Sequence, residues 1–295
     1  MTDIFQEVSI NYIPSLVEVF KQSFENYYPF CQYVEIMGEY NNAGVKNPKQ
    51  TLYRYGSLRT GVYLFEAHFD LGDMSYTIFH IFTANTDNSD LEEALSKTER
   101  IPWFSTSYVF QATLKRFAPI IRKVAKYKGV NLNGVEEDLL WLPLHKSLLV
   151  SEVPEDLELK FLNPIHAELM DKQWKFKFAG SNRYLGIQIA NNFGLGLFRK
   201  PEAKMLCSAV TYNSGGIFCL FTDPESRGKG YGEIIVRSLA KELHSRQKVP
   251  FATVQRENIP SQRVFEKIGF EVFSVMEFIS PPNYYKDFKP VTVKS

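Results

Sequence analysis

An α/β fold is predicted by three features of the sequence. From residue 147 onward, strand-like and helix-like patterns alternate. Within that stretch an apolar run ends in a glycine-rich turn, RGKGYG at 227–232, which opens directly on an amphipathic helical pattern. Residues 1–146 carry helical patterns towards their ends and strand-like runs between them, an α+β arrangement.

The N-terminal elements follow from periodicity. Residues 11–28 place Ile13, Leu16, Val17, Val19, Phe20 and Phe24 near helical spacing. Strand-like runs occupy 32–37, 61–69 and 75–83, broken by NNAG at 41–44 and LGD at 71–73. A long helix is expected over 105–128, where Phe110, Leu114, Phe117, Ile120, Ile121 and Val124 recur at three and four. NLNG at 131–134 is a turn cluster, and a domain boundary is placed after residue 146.

Beyond it, 147–153 and 157–162 read as a hairpin about PED. Asn163-Pro164 starts a helix to about Trp174, with Asn as cap and Pro in the first helical position. A second helix fits 181–192 with Ser181 as cap. Strands at 195–199, 206–212 and 216–222 lead to a helix over 230–246 with Ile235, Leu239 and Leu243 on one face. Strand 250–255, helix 259–267 and strand 270–278 complete the order.

Composition narrows the class. The chain has 295 residues, 44% hydrophobic and 23% charged, with 24 Phe and 16 Tyr, enough to build large cores. A net charge of +1 gives no field that selects nucleic acid or a membrane surface, so neither is expected as a partner. Three cysteines, Cys31, Cys207 and Cys219, lack metal-type spacing and are too few for a disulfide framework. His68 and His80 sit on strand-like runs without ligand partners at metal spacing, so no metal is expected. The N-terminus MTDIFQEVSI lacks arginine and a long apolar run, and no segment approaches the roughly 18 apolar residues of a membrane span. The cytoplasm is the expected compartment, with the mitochondrion left open.

The chemistry lies at Leu220–Gly232, LFTDPESRGKGYG. Glycines allow positive φ and close backbone approach, and N–H groups before a helix N-terminus attract anions. Arg227 and Lys229 add charge-assisted contacts. A diphosphate is the ligand such a loop suits, although a plain strand-to-helix turn would read the same way in isolation.

Context favours the ligand. RGKGYG at 227–232 resembles motif A of the GNAT superfamily of N-acyltransferases, R/Q-x-x-G-x-G/A. NIPSQRVFEKIGF at 258–270 is similar to its motif B, in the right order and about 25 residues further on. HAELMDKQWKFKFAGSNRYLGIQI at 166–189 looks like the segment before the catalytic core of glycine N-acyltransferases and their relatives. The resemblance spans roughly 150–290 and implies a GNAT fold over 147–295 with a splayed, mostly antiparallel mixed sheet. The preceding α+β half then reads as a candidate degenerate copy of that fold.

The resemblance also implies a site. Acyl-CoA or acetyl-CoA would be the cosubstrate, its pantetheine arm bonded by the backbone of Leu220, Phe221 and Thr222. Its diphosphate would rest on Arg227, Gly228, Lys229, Gly230, Tyr231 and Gly232. Asn258 would lie near the arm, or serve only as a helix cap. Two departures stand out. Gly216 occupies the position, eleven before Arg227, where many relatives carry a glutamate base, and Phe265 replaces the tyrosine acid of motif B. Tyr212, Asp223, Glu257 and His166 are substitutes with good structural readings of their own, so no catalytic side chain is assigned. The expected activity is acyl transfer from acyl-CoA to the amine of a small amino acid, glycine by resemblance alone. Acetylation of a protein or peptide amine, and acyl-CoA binding without turnover, are the rivals.

Overall fold

The computed structural model describes residues 3–21, 24–85, 87–148, 152–282 and 284. The chain divides into two compact units. One runs to Glu136 and regains the chain from Val275; the other is Glu137–Ser274. No helix among the described residues is long and apolar enough to cross a membrane.

The N-terminal unit opens with β1 (Gln6–Glu7), α1 (Ile13–Lys21) and α2 (Phe24–Asn42). The run at 32–37, expected as a strand, lies inside α2. Its buried residues Phe30, Cys31, Tyr33, Val34, Met37 and Tyr40 recur at three and four, and this longer period prevails over the local alternation. An antiparallel set follows: β2 (Lys49–Tyr55), β3 (Val62–Asp70) and β4 (Ser75–Thr83). Then come α3 (Ser89–Lys97), β5 (Tyr108–Leu114), α4 (Ala118–Tyr127) and β6 (Asn133–Trp141).

The long helix expected over 105–128 is therefore a strand and a shorter helix. Tyr108–Phe110 pair in parallel with Thr77–Phe79 of β4, covered on both faces, and so read as a continuous apolar run. Pro119, in the first turn of α4, marks the start that the spacing concealed. One core of the unit joins Leu64, Phe79, Phe110, Phe117, Ile121 and Val124.

The C-terminal unit begins within β6. Residues 149–151 of the expected strand 147–153 lie outside those described, and the strand paired with β7 (Leu157–Phe161) is β8 (Gly194–Arg199). Asn163 caps a short 3₁₀ turn at Pro164–His166 that leads into α5 (Ala167–Gln173). Helix α6 (Ser181–Asn191) is capped by Gly180 in the left-handed region rather than by Ser181. Strands β8, β9 (Lys204–Thr211) and β10 (Ile217–Thr222) are antiparallel neighbours. Helix α7 (Tyr231–Ser245), β11 (Phe251–Gln255), α8 (Ile259–Ile268) and β12 (Glu271–Ser280) follow. Ile235, Leu239 and Leu243 of α7 are buried against the sheet, as their spacing predicts, while Lys241 and Arg246 are exposed.

The two units repeat one order. A first strand and a helical pair precede three antiparallel strands; a helix and a fifth strand follow, then another helix and strand. In the N-terminal unit the end of β12 pairs antiparallel with β5.

Candidate functional site

The site is built where β10 and β11 part. These parallel strands touch through a single bridge, Gly216 to Phe251, and beyond it they pair elsewhere: β10 with β9, and β11 with β6. A Cβ at Gly216 would lie 2.6 Å from the Phe251 ring, so an aromatic ring packed on bare backbone requires glycine at this point. The expected splay is present, and Gly216 sits at its closed end.

Three residues further on, β10 bulges. Its register with β9 shifts by one between Phe218 and Phe221, and Cys219 takes a left-handed φ of 54°. A bulge takes backbone groups out of the ladder and re-aims them. They turn at the level where the two strands are no longer joined.

Beyond β10 the chain turns sharply. Asp223 caps a 3₁₀ turn by accepting from Glu225 N at 3.3 Å, and pairs with Lys204 at 2.9 Å. Gly228 and Gly230 have φ of 75° and 78°. A Cβ on either would meet nothing within 4 Å, so conformation and not crowding demands glycine there. Tyr231 and Gly232 start α7, and first-turn amides have no partner within their own helix. Arg227 and Lys229 are exposed, and Arg227 Nε donates to Thr222 O at 3.3 Å. Left-handed glycines, unpaired first-turn amides, the positive end of α7 and two cations fit a diphosphate.

The other residues singled out from sequence fall around this frame. Leu220 packs on the core beneath α7. Phe221 stands opposite Ser208, and Thr222 opposite Cys207, its hydroxyl 3.1 Å from the thiol. Asn258 caps α8, accepting from Ser261 N at 3.4 Å. The turn before it is braced by Asp138, which accepts from Arg256 at 2.8 Å and Gln262 at 3.4 Å. Phe265 is buried edge-on to Phe270 and belongs to the core.

Three of the four substitute bases are engaged in other contacts. Tyr212 stacks on Phe218 with ring centres 3.8 Å apart. Hydrogen bonding from Lys204 holds the Asp223 carboxyl below its usual range. His166 Nδ1 accepts from Asn163 N at 3.1 Å as part of a cap, and Glu257 is exposed. Burial drives the Cys219 thiol far up and the Cys207 thiol to about 11, so neither is a thiolate at neutral pH.

Sequence reasoning missed the wall that faces β10 from α5 and α6. Trp174 lies edge-on to Phe218 at 6.0 Å and parallel to Tyr184, and Phe178 packs on Tyr184 at 5.7 Å. On α5, the Asp171 carboxylate accepts from Ser181 Oγ. The only sequence signal was the aromatic alternation in WKFKFAG at 174–180. Glu137, on β6 opposite Gln255, was missed too, and burial pushes its carboxyl up to about 7.

In the N-terminal unit the equivalent turn, ANTDN at 84–88, has no glycine. There Arg116 donates to the carbonyls of Thr83, at 2.5 Å, and Asn85, at 3.3 Å. A guanidinium thus occupies the backbone acceptors at the end of β4. Among the described residues no cluster of metal-ligating groups occurs.

Residues 194–279 match the family model for FR47-like protein. No curated protein matches the sequence. Among solved structures, an X-ray structure of a Drosophila protein superposes with a TM-score of 0.85 at 18% identity, over 96% of this chain and all of that one. A GCN5-related N-acetyltransferase from Kribbella flavida gives 0.54 at 11%, covering 85% and 96%. A tandem GNAT protein from the clavulanic acid biosynthesis pathway gives 0.51 at 10%, covering 94% and 98%. The fold is a tandem of two GNAT-like α/β units; the larger sheet is mixed, with β4 and β5 parallel, and β7–β10 are antiparallel.

Proposed function

We propose that the C-terminal unit transfers an acyl group from acyl-CoA, acetyl-CoA included, to the amine of a small molecule. The observation that carries this reading is the conjunction of fork, bulge and loop. The loop at 227–232 offers amides and cations to a diphosphate. The gap between β10 and β11 lies directly before that loop and can take an extended arm that pairs with strand backbone. In this reading the backbone freed by the bulge at Cys219, with that of Leu220, Phe221 and Thr222, would bond the arm and polarise the thioester carbonyl. Donors aimed at a forming oxyanion contribute about 100- to 1000-fold in rate. Asn258 would stand at the far wall of the gap. The FR47-like match covers this same stretch, and the Kribbella and clavulanic-pathway neighbours are described as GNAT proteins.

The acceptor we favour is a small amino acid, glycine first. The support is the resemblance of residues 166–189, which here form α5, α6 and their connection. In this reading a soluble amine is the partner, without nucleic acid or membrane, and the reaction needs no metal. A second reading, acyl-CoA binding without turnover, is favoured by Gly216 and Phe265, both tied to packing rather than chemistry. Release of free thiol from several acyl-CoAs against a panel of amino acids separates the two. Acceptor-dependent release supports transfer. Saturable CoA binding with no release under any acceptor supports the binding protein.

A further inference from the structure

We infer that Asp171 is the general base that takes the proton from the attacking amine. This rests on the acyl-transfer reading above. Gly216 leaves the closed end of the fork without a carboxylate, and the side chain cannot be restored there because the Phe251 ring fills its place. The carboxylate that approaches the bulge comes from α5 instead.

Three observations place and orient it. Helix α5 packs against β10, and Asp171 follows one turn after the buried Ala167; in keeping with that placement, the Asp171 charge adds to burial in raising the Cys219 thiol. Ser181, 1% exposed, donates its hydroxyl to Asp171 Oδ1 and itself accepts from Phe178 N at 3.2 Å. This chain of donors holds Oδ1, and Oδ2 has no hydrogen-bond partner among the described residues. Finally, Trp174, whose amide closes α5 by donating to the Asp171 backbone carbonyl at 3.2 Å, lies edge-on to Phe218 of β10, so the end of α5 that carries Asp171 stands against that strand.

The step balances simply. Asp171 removes one proton from the substrate ammonium, and the nitrogen lone pair forms a bond to the thioester carbonyl carbon. The tetrahedral intermediate collapses as the C–S bond breaks. The second nitrogen proton passes through water to the departing thiolate. The products are amide, CoA thiol and one proton released to solution.

Three other titratable groups stand near. The Cys219 thiol is neutral at working pH. Glu137 lies on β6, and β11 stands between it and β10. Tyr184, the titratable group facing from α6, is stacked on Trp174.

The test compares kcat/KM for acetyl-CoA and glycine from pH 6.5 to 9.5 in the full chain, for wild type, Asp171→Asn, Ser181→Ala and Glu137→Gln. Wild type should be flat well below the amine pKa, since the carboxylate takes the proton from the ammonium. Asp171→Asn should lose about 1000-fold at pH 6.5. It should climb tenfold per pH unit up to the amine pKa, because it must await neutral amine, and so approach wild type at high pH. Ser181→Ala should show a smaller loss of kcat with the flat profile retained, and Glu137→Gln should leave the profile unchanged. CoA affinity should be equal in all four, which shows that each has folded. An Asp171→Asn enzyme reduced by the same factor at every pH, or not at all, overturns Asp171 as base and leaves the transfer reading intact. Wild type that releases no thiol with any amine overturns the transfer reading, and Asp171 with it.

Discussion

Gly216 illustrates how a single position can be misjudged from sequence. Read against related motifs it is a missing base; in the structure it is the point where the Phe251 ring packs on backbone. Nothing in the local sequence links residues 35 positions apart, so the packing reason could not be read there. Gly216→Ala should crowd that ring and cost about 1–3 kcal/mol. A Tm equal to wild type would show that the ring yields. His80 behaves as a second residue of this kind. It is buried, its Nδ1 is 2.8 Å from Gln111 O, and Tyr33 stacks on it at 3.8 Å. Burial lowers its pKa from 6.5 to about 3. The folded pKa is depressed, so the unfolded chain binds the extra proton. The stability tied to neutral His80 is complete above about 6.5 and is lost as pH falls towards 3. Urea titrations between pH 7 and pH 4 should show wild type losing stability by about 1.4 kcal/mol per pH unit more than His80→Gln. Parallel curves would mean that His80 protonates without cost.

At the scale of elements, legibility follows punctuation. Helices α7 and α8 begin at Gly230 and Asn258, and α8 ends at a left-handed Gly269, so their bounds agree with the sequence reading to within a residue or so. The cap at Asn163 with Pro164 was equally plain. The N-terminal unit lacks such marks. Phe110, Leu114 and Phe117 stand at helical spacing, yet the first two belong to β5, because contacts with β4 and β12 decide a strand buried on both faces. β2 and α3 passed unnoticed because their polar residues hide short apolar runs: only Leu52 and Tyr53 are buried in β2. Helix α7 supplies the prediction at this scale. Leu239 is fully buried against the sheet. Leu239→Ala should cost about 2–5 kcal/mol. A change in Tm too small to measure would mean that α7 does not carry the core of its unit.

For the molecule as a whole, the repeated order of elements makes the differences between the units informative. The C-terminal unit has left-handed glycines before α7 and free first-turn amides. The N-terminal unit has ANTDN at the same place, and Arg116 holds the carbonyls at the end of β4. One CoA per chain is therefore expected. If the loop 227–232 holds the CoA diphosphate, calorimetry with CoA on wild type and Gly230→Glu will reveal it. A Cβ at Gly230 meets no protein atom within 4 Å, so the new carboxylate projects into the space assigned to the diphosphate. Wild type should bind at one site per chain, and a folded Gly230→Glu should bind more than tenfold more weakly, a loss of at least about 1.4 kcal/mol. Equal affinity in the folded variant, or two equivalent sites in wild type, would contradict the account.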